Sequence, residues 1–408
     1  MTHPSPFTPK QLAILPALKN VQISTTNCGL KYKNRDDLCL MVFPASSNVA
    51  GVFTKSLTAS APVLRCRQNL PQGTVRAILI NAGNSNAFTG KAGEDAVTRC
   101  LQDVAHHVGC SPNQVFMAST GVIGEPLKDD LIRGKIPILM AHLGENNWQS
   151  AAQAIMTTDT FAKMVTRQAK IGGTTVTINA IAKGSGMIAP DMATMLAFVV
   201  TDALIPAGVL QKLLNRAVDQ SFNCITVDGD TSTSDSLIAC ATGEAQHEDV
   251  LANPNLLADF RHQFDQALID LACQVAKDGE GISKFITIQV NGAASKAAAR
   301  KIGLTIANSP LVKTAIAGQD ANWGRIVAAV GRSGQKANRD KLSIAIGGVQ
   351  IAKDGLRLPH YDETPVAQHM KGKEINIEVD VGIGTGKAKV WTCDLTHGYI
   401  DVNASYRS

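Results

Sequence analysis

The residue types able to do chemistry are concentrated in one stretch, Lys183–Gly184–Ser185–Gly186–Met187–Ile188–Ala189–Pro190–Asp191–Met192–Ala193–Thr194–Met195–Leu196. Two glycines and a proline return this loop to Thr194, which opens an apolar, strand-like run to Val200. If the peptide bond before a threonine is cut, its hydroxyl and its freed α-amine sit on one residue. Such an amine has a reference pKa of about 7.7–8.0, so it is partly neutral near pH 7 and takes the hydroxyl proton. Nucleophile and base then share a residue, as in the N-terminal-threonine variant of the catalytic triad. A small residue must precede the scissile bond, and Ala193 is one. Donors must also face the developing oxyanion. The segment Ser119–Thr120–Gly121–Val122–Ile123–Gly124, read as a loop after the apolar run Val115–Phe116–Met117, offers a glycine N–H and a threonine hydroxyl. A threonine at a strand start also has a purely structural reading, because β-branched side chains suit strands. The residues alone leave both readings open.

Other polar segments offer less. Asn81–Gly90 follows the apolar run Ala77–Ile80, but it has neither GxxxxGK[ST] nor GxGxxG spacing and reads as a loop of Asx-type turns. The segment Val227–Ser236 is rich in oxygen ligands. It fails the EF-hand spacing and lacks the closing glutamate, so a self-hydrogen-bonded turn is expected rather than a calcium site. His106–His107 falls within an amphipathic helical pattern, and no HExxH or HxH occurs, so no metal centre is expected. A GxSxG elbow is missing too. The nine cysteines are odd in number and contain no CxxC, which fits buried thiols in a reducing compartment.

Strand-like and helix-like segments alternate, so the expected class is α/β or α+β. Val176, Ile178 and Ala180 alternate with polar residues, as do Ile375, Ile377, Val379 and Val381. Helical spacing links Val209, Leu210, Leu213, Leu214, Ala217 and Val218, and again Leu257, Phe260, Phe264, Leu268, Leu271 and Val275. The second helix breaks at Asp278–Gly279–Glu280–Gly281, and strand-rich sequence follows from Phe285. A main domain over 1–284 and a smaller one over 285–408 are therefore expected. With 408 residues, 45% apolar and 18% charged, the chain can bury sizeable cores. No apolar stretch approaches the roughly 18 residues that span a bilayer, and the first residues lack a signal-peptide pattern, so a cytoplasmic, non-membrane protein is expected. The net charge of +5 is spread, and aromatics are only 4%, so no nucleic-acid partner is expected.

The block Lys183–Leu196 is the most specific part of a likeness that covers nearly the whole chain. It joins Gly51–Thr54, Asn81–Gly90, Ser119–Gly124, Met156–Thr160, Asp228–Ser234, Asp320–Arg325 and Asn403–Ser408. In these segments the chain resembles the ornithine acetyltransferases, or glutamate N-acetyltransferases, of the cyclic arginine pathway. Two positions depart from that family's pattern: Asp191 stands where asparagine is common, and Ala321 where proline is common.

The resemblance implies a layered αββα sandwich of the self-processing N-terminal-nucleophile kind with a second, smaller α/β domain. It implies cleavage between Ala193 and Thr194 into chains 1–193 and 194–408, assembled as α2β2. Thr194 would carry acetyl from N2-acetyl-L-ornithine to L-glutamate, with ornithine and N-acetylglutamate as products. Thr120 and Gly121 would form the oxyanion hole, and Thr157, Lys183, Thr194, Glu280, Asn403 and Ser408 would contact substrate. In chemical terms, Lys183 and Asn403 suit an α-carboxylate and Glu280 suits an ammonium or amine. No cofactor is implied, with acetyl-CoA a candidate second acetyl donor on which the motifs are silent. Two other functions compete: a self-processing amidase or aminopeptidase with water as acceptor, and a nucleotide-binding protein built on the glycine-rich loops.

Overall fold

The computed structural model describes residues 4–144, 147–189 and 195–404. Its first sheet has four strands in the order Gln22–Thr26, Leu38–Val42, Ala77–Asn84 and Val115–Val122. The last two run parallel, joined by a crossover that contains the helix Gly90–Val108. A second sheet has five strands in the order Asn48–Phe53, Ser236–Ala245, Leu196–Ala203, Thr174–Lys183 and Lys163–Ile171. Here the parallel pair is Leu196–Ala203 with Ser236–Ala245, and the helix Ala207–Val218 lies in the crossover.

Side-chain alternation along these strands builds the layers. Met41, Ile78, Ile80, Phe116 and Ala118 of the first sheet meet Ile181, Phe198, Val200, Ile238 and Cys240 of the second in one buried cluster. Their strand neighbours Leu40, Leu79 and Met117 point the other way, onto Val97, Leu101 and Val104 of the first crossover helix. On the outer face of the second sheet, Ala180, Val199 and Ala239 pack with Leu210 and Leu214, and with Phe260, Phe264 and Leu268 of the helix Ala258–Ala276. The result is helix, sheet, sheet, helix. Strands covered on both faces carry apolar residues at consecutive positions, which is why Ala77–Ile80 and Met195–Val200 show no polar alternation.

The third sheet opens at Phe285. Its six strands run in the order Leu356–Arg357, Val349–Lys353, Ser343–Ile346, Glu374–Asp380, Phe285–Ala293 and Gly386–Cys393. Ile286, Ile288, Val290, Ile375, Ile377 and Val379 form a separate core with Ile302, Ile306, Val312, Ile326 and Met370 from the covering helices. This sheet is tied to the sandwich through Trp391 and Cys393, which join the core around the helix Ala258–Ala276. The closing helix His397–Asn403 then brings the chain back to the sandwich.

Three element boundaries differ from those expected. The segment Asn81–Asn84 is strand, not loop, because its polar side chains are satisfied inside the sheet: the Asn81 amide donates to the Asn84 carbonyl and accepts from the Ser119 hydroxyl. Ser119–Val122 likewise continues its strand. The strand expected from Thr194 opens at Leu196. All nine cysteines are free thiols, and burial pushes Cys66 and Cys100 up to about 12. Among the described residues no helix is long and apolar enough to cross a membrane.

Phe198 is fully buried between the two stacked sheets. Phe198→Ala is expected to lower the unfolding free energy by about 3–5 kcal/mol. Urea titration followed by circular dichroism checks this, and a loss below about 1 kcal/mol would contradict the placement.

Candidate active site

A cleft of about 250 Å³ lies where the sandwich sheets, the turn after Asp278 and the closing helix meet. Thr120 and Gly121 enter it from the end of the strand Val115–Val122. Gly121 has φ +133°, and a Cβ there would fall 2.2 Å from the Gly83 carbonyl carbon and 2.5 Å from the Asn84 nitrogen. Only glycine fits this approach. The parallel register shifts at Gly83–Asn84, an irregularity that re-aims the strand ends as they enter the cleft.

Lys183 closes the gap between the sheets. It ends the strand Thr174–Lys183, opposite Leu196, and its Nζ donates to Thr120 Oγ1 at 2.9 Å. Both residues are almost wholly buried. Burial pulls the Lys183 ammonium below the usual lysine range, while the nearby Asp159 charge opposes this. With its oxygen accepting from Lys183, the Thr120 hydroxyl is free to direct its own hydrogen at a group in the cleft.

A buried ion cluster holds the cleft walls. Lys163 Nζ lies 2.6 Å from Asp159 Oδ1 and 2.6 Å from Asp278 Oδ2, with all three side chains fully enclosed. Asp159 also accepts the Gly184 N–H at 2.6 Å and the Thr157 N–H at 2.9 Å. One carboxylate therefore fixes two segments that line the cleft. Asp278 accepts the Thr160 N–H at 2.8 Å, and its carbonyl accepts the Ser185 hydroxyl at 2.6 Å. Burial alone would raise the Asp159 pKa, but the charges of Lys163 and Lys183 hold it well below the carboxylate range. Burial by itself would lower Lys163, and the two aspartates outweigh it and hold the ammonium charged.

Glu280 faces the same space. Gly186 makes room for it, since a Cβ there would lie within 2.2 Å of the Glu280 carboxylate. Burial raises the Glu280 pKa above the ordinary glutamate value. The Asn403 amide donates to Glu280 Oε2 at 2.8 Å and to the Tyr399 carbonyl at 3.0 Å. Both amide hydrogens are thus engaged, so Asn403 orients Glu280 here instead of presenting a free donor for a carboxylate. Asp228 accepts the Met187 N–H at 2.6 Å, the Ile188 N–H at 3.0 Å and the Tyr399 hydroxyl at 3.1 Å. With its oxygens taken by these donors, the Asp228–Ser234 segment acts as a strap on the loop at 187–188.

Six residues named from the sequence, Thr120, Gly121, Thr157, Lys183, Glu280 and Asn403, line this one cleft. Ala193, Thr194 and Ser408, and Asp191 beside them, lie outside the described residues. The ion cluster was missed. Asp159 sits inside the Met156–Thr160 segment of the resemblance, and Lys163 is a single charge amid Phe161, Ala162, Met164 and Val165. A lone lysine in such a run is the available signal of a buried, paired charge. Two hydroxyl- or amide-type donors, one buried ammonium and one carboxylate around a small cavity suit a substrate that carries both a carboxylate and an amine.

The ArgJ family pattern matches residues 22–408. The arginine biosynthesis bifunctional protein ArgJ of Gluconobacter oxydans is 54% identical over 411 residues, spanning 100% of this chain and 97% of that protein. Its counterpart of the same name in Rhizobium meliloti is 53% identical, spanning 99% of each chain. Among solved structures, an arginine biosynthesis bifunctional protein ArgJ from Bacillus halodurans is 42% identical, with a TM-score of 0.49, over 51% of this chain and 98% of that one. On the family match and on full-length identities above one half, this chain belongs to the ArgJ family.

Proposed function

We propose that this chain transfers an acetyl group from N2-acetyl-L-ornithine to L-glutamate, using Thr194 as nucleophile after self-cleavage behind Ala193. The observation that carries the reading is the convergence of Thr120, Gly121, Lys183 and Glu280 on one small cleft. As a member of the ArgJ family the chain is an acyltransferase of arginine biosynthesis, and the cleft chemistry supports the finer steps.

Self-cleavage starts with the Thr194 hydroxyl attacking the Ala193 carbonyl; the Ala193 C–Thr194 N bond breaks as the nitrogen takes up the hydroxyl proton, and water then hydrolyses the resulting ester. This frees the Ala193 carboxylate and the Thr194 α-amine. In the first half-reaction Thr194 Oγ attacks the amide carbonyl of N2-acetylornithine while the α-amine takes the hydroxyl proton. Thr120 Oγ1–H and Gly121 N–H face the oxyanion. The C–N bond breaks, the proton passes to the departing amine, and ornithine leaves an acetyl ester on Thr194. In the second half-reaction the glutamate amine attacks that ester, the Thr194 oxygen regains a proton, and N-acetylglutamate leaves. Lys183 draws the substrate carboxylate and Glu280 the amine or ammonium, with Asn403 setting the Glu280 rotamer and Thr157 lining the cleft. Ser408 belongs to the same set by resemblance. Acetyl-CoA enters this reading as a second acetyl donor, α2β2 as the assembly and the cytoplasm as the location.

Thr194→Ala is expected to give one uncut chain with no transfer. Intact mass and N-terminal sequencing check it, and fragments 1–193 and 194–408 appearing in that variant would refute the assignment. Thr120→Val keeps the shape but removes the hydroxyl. It is expected to lower kcat by about 10²–10³-fold with little change in KM, the usual effect of losing one oxyanion donor. Steady-state assay of ornithine release with and without glutamate checks it. An unchanged kcat would remove Thr120 from the mechanism, and acetate release independent of glutamate would favour hydrolysis over transfer.

A further inference from the structure

One buried carboxyl beside the cleft has no part in these steps. Asp235 stands where the Asp228–Ser234 segment enters the strand Ser236–Ala245, and it is fully buried. That strand runs parallel to Leu196–Ala203 with Ser236 opposite Leu196, so Asp235 is level with Met195. Its Oδ1 accepts the Met195 N–H at 2.8 Å, and the Met195 carbonyl accepts the Ser236 N–H at 3.1 Å. Asp235 is anchored in turn by the Thr54 N–H on its carbonyl at 3.0 Å. Among the described residues, Asp235 Oδ2 has no hydrogen-bond partner.

The amide that Asp235 holds belongs to the peptide bond joining Thr194 to Met195. Self-cleavage turns residue 194 into a chain end, and chain ends fray unless tied down. The two bonds on Met195 are the last ones described before that end, and one of them is made by a side chain. We infer that Asp235 is a positioning residue for the nucleophile: by clamping the Thr194–Met195 peptide bond it fixes where residue 194 presents its hydroxyl and α-amine. The inference rests on the reading of Thr194 given above. Burial raises the Asp235 carboxyl well above the usual range, with the Met195 N–H and the Lys183 charge partly opposing.

The test uses the full chain as wild type, Asp235→Ala, Asp235→Asn and Thr194→Ala. Precursor conversion is followed by mass, and kcat and KM are measured on processed enzyme per site that takes up acetyl, so that a smaller folded fraction does not imitate a slower step. Asp235→Ala is expected to convert slowly and to lose about 100-fold in per-site kcat with KM for N-acetylornithine unchanged, the scale set by a misplacement of about 1 Å. Asp235→Asn, which keeps an acceptor for the Met195 N–H, is expected to restore both. Where Asp235→Ala loses its melting transition, Asp235→Val, which fills the space without an acceptor, is read the same way. A per-site kcat near wild type in the variants lacking an acceptor overturns the inference, as does an Asp235→Asn as slow as they are. Cleavage and activity persisting in Thr194→Ala would instead sink the reading of the nucleophile.

Discussion

A fully buried ammonium must be paired, and much of the site follows from how Lys163 meets that requirement. Leaving such a charge without its partners costs about 3–5 kcal/mol, a large share of a domain's net stability. Asp159 and Asp278 therefore have to sit at 2.6 Å from Lys163 Nζ, one ahead of its strand and the other just beyond the long helix Ala258–Ala276. Asp159 then uses its remaining acceptor capacity on the Thr157 and Gly184 amides. The cleft walls are in this way fixed by the electrostatics of a group that does not line the cleft itself.

A second constraint is steric. The stacked sheets approach closely enough for Lys183 of one to reach Thr120 of the other, and within the first sheet the adjoining Gly121 lies against the Gly83–Asn84 backbone. The Lys183 bond takes the Thr120 oxygen and leaves its hydrogen free to point into the cleft. Packing, backbone conformation and charge thus converge on one hydroxyl. Gly186 plays the matching part on the opposite wall by admitting the Glu280 carboxylate.

Much of this was legible where periodicity reports burial directly. The alternation at Val176, Ile178 and Ala180 marks the strand Thr174–Lys183, and the helical spacing from Val209 to Val218 marks the helix Ala207–Val218. The break at Asp278–Gly281 lies just past the end of the helix at Ala276. Legibility ended where polar residues are satisfied inside a sheet. Asn81 and Ser119 bond each other across parallel strands, so Asn81–Asn84 and Ser119–Val122 read as loops but fold as strand. The ion cluster was hidden for another reason. Lys163 and Asp278 are 115 residues apart, and no local pattern announces such a pair. Asn403 was singled out by resemblance as a substrate contact, and only the geometry shows its amide engaged with Glu280 and the Tyr399 carbonyl.

The central claim is that residue 194 carries the acetyl group between two substrates. Incubating processed enzyme with N2-acetylornithine in the absence of glutamate, then quenching in acid and mapping the peptides by mass, tests it most directly. The account predicts one added acetyl group on the peptide beginning at Thr194, discharged when glutamate is supplied. An acetyl group found elsewhere, or ornithine released with no acetylated peptide at all, would contradict it.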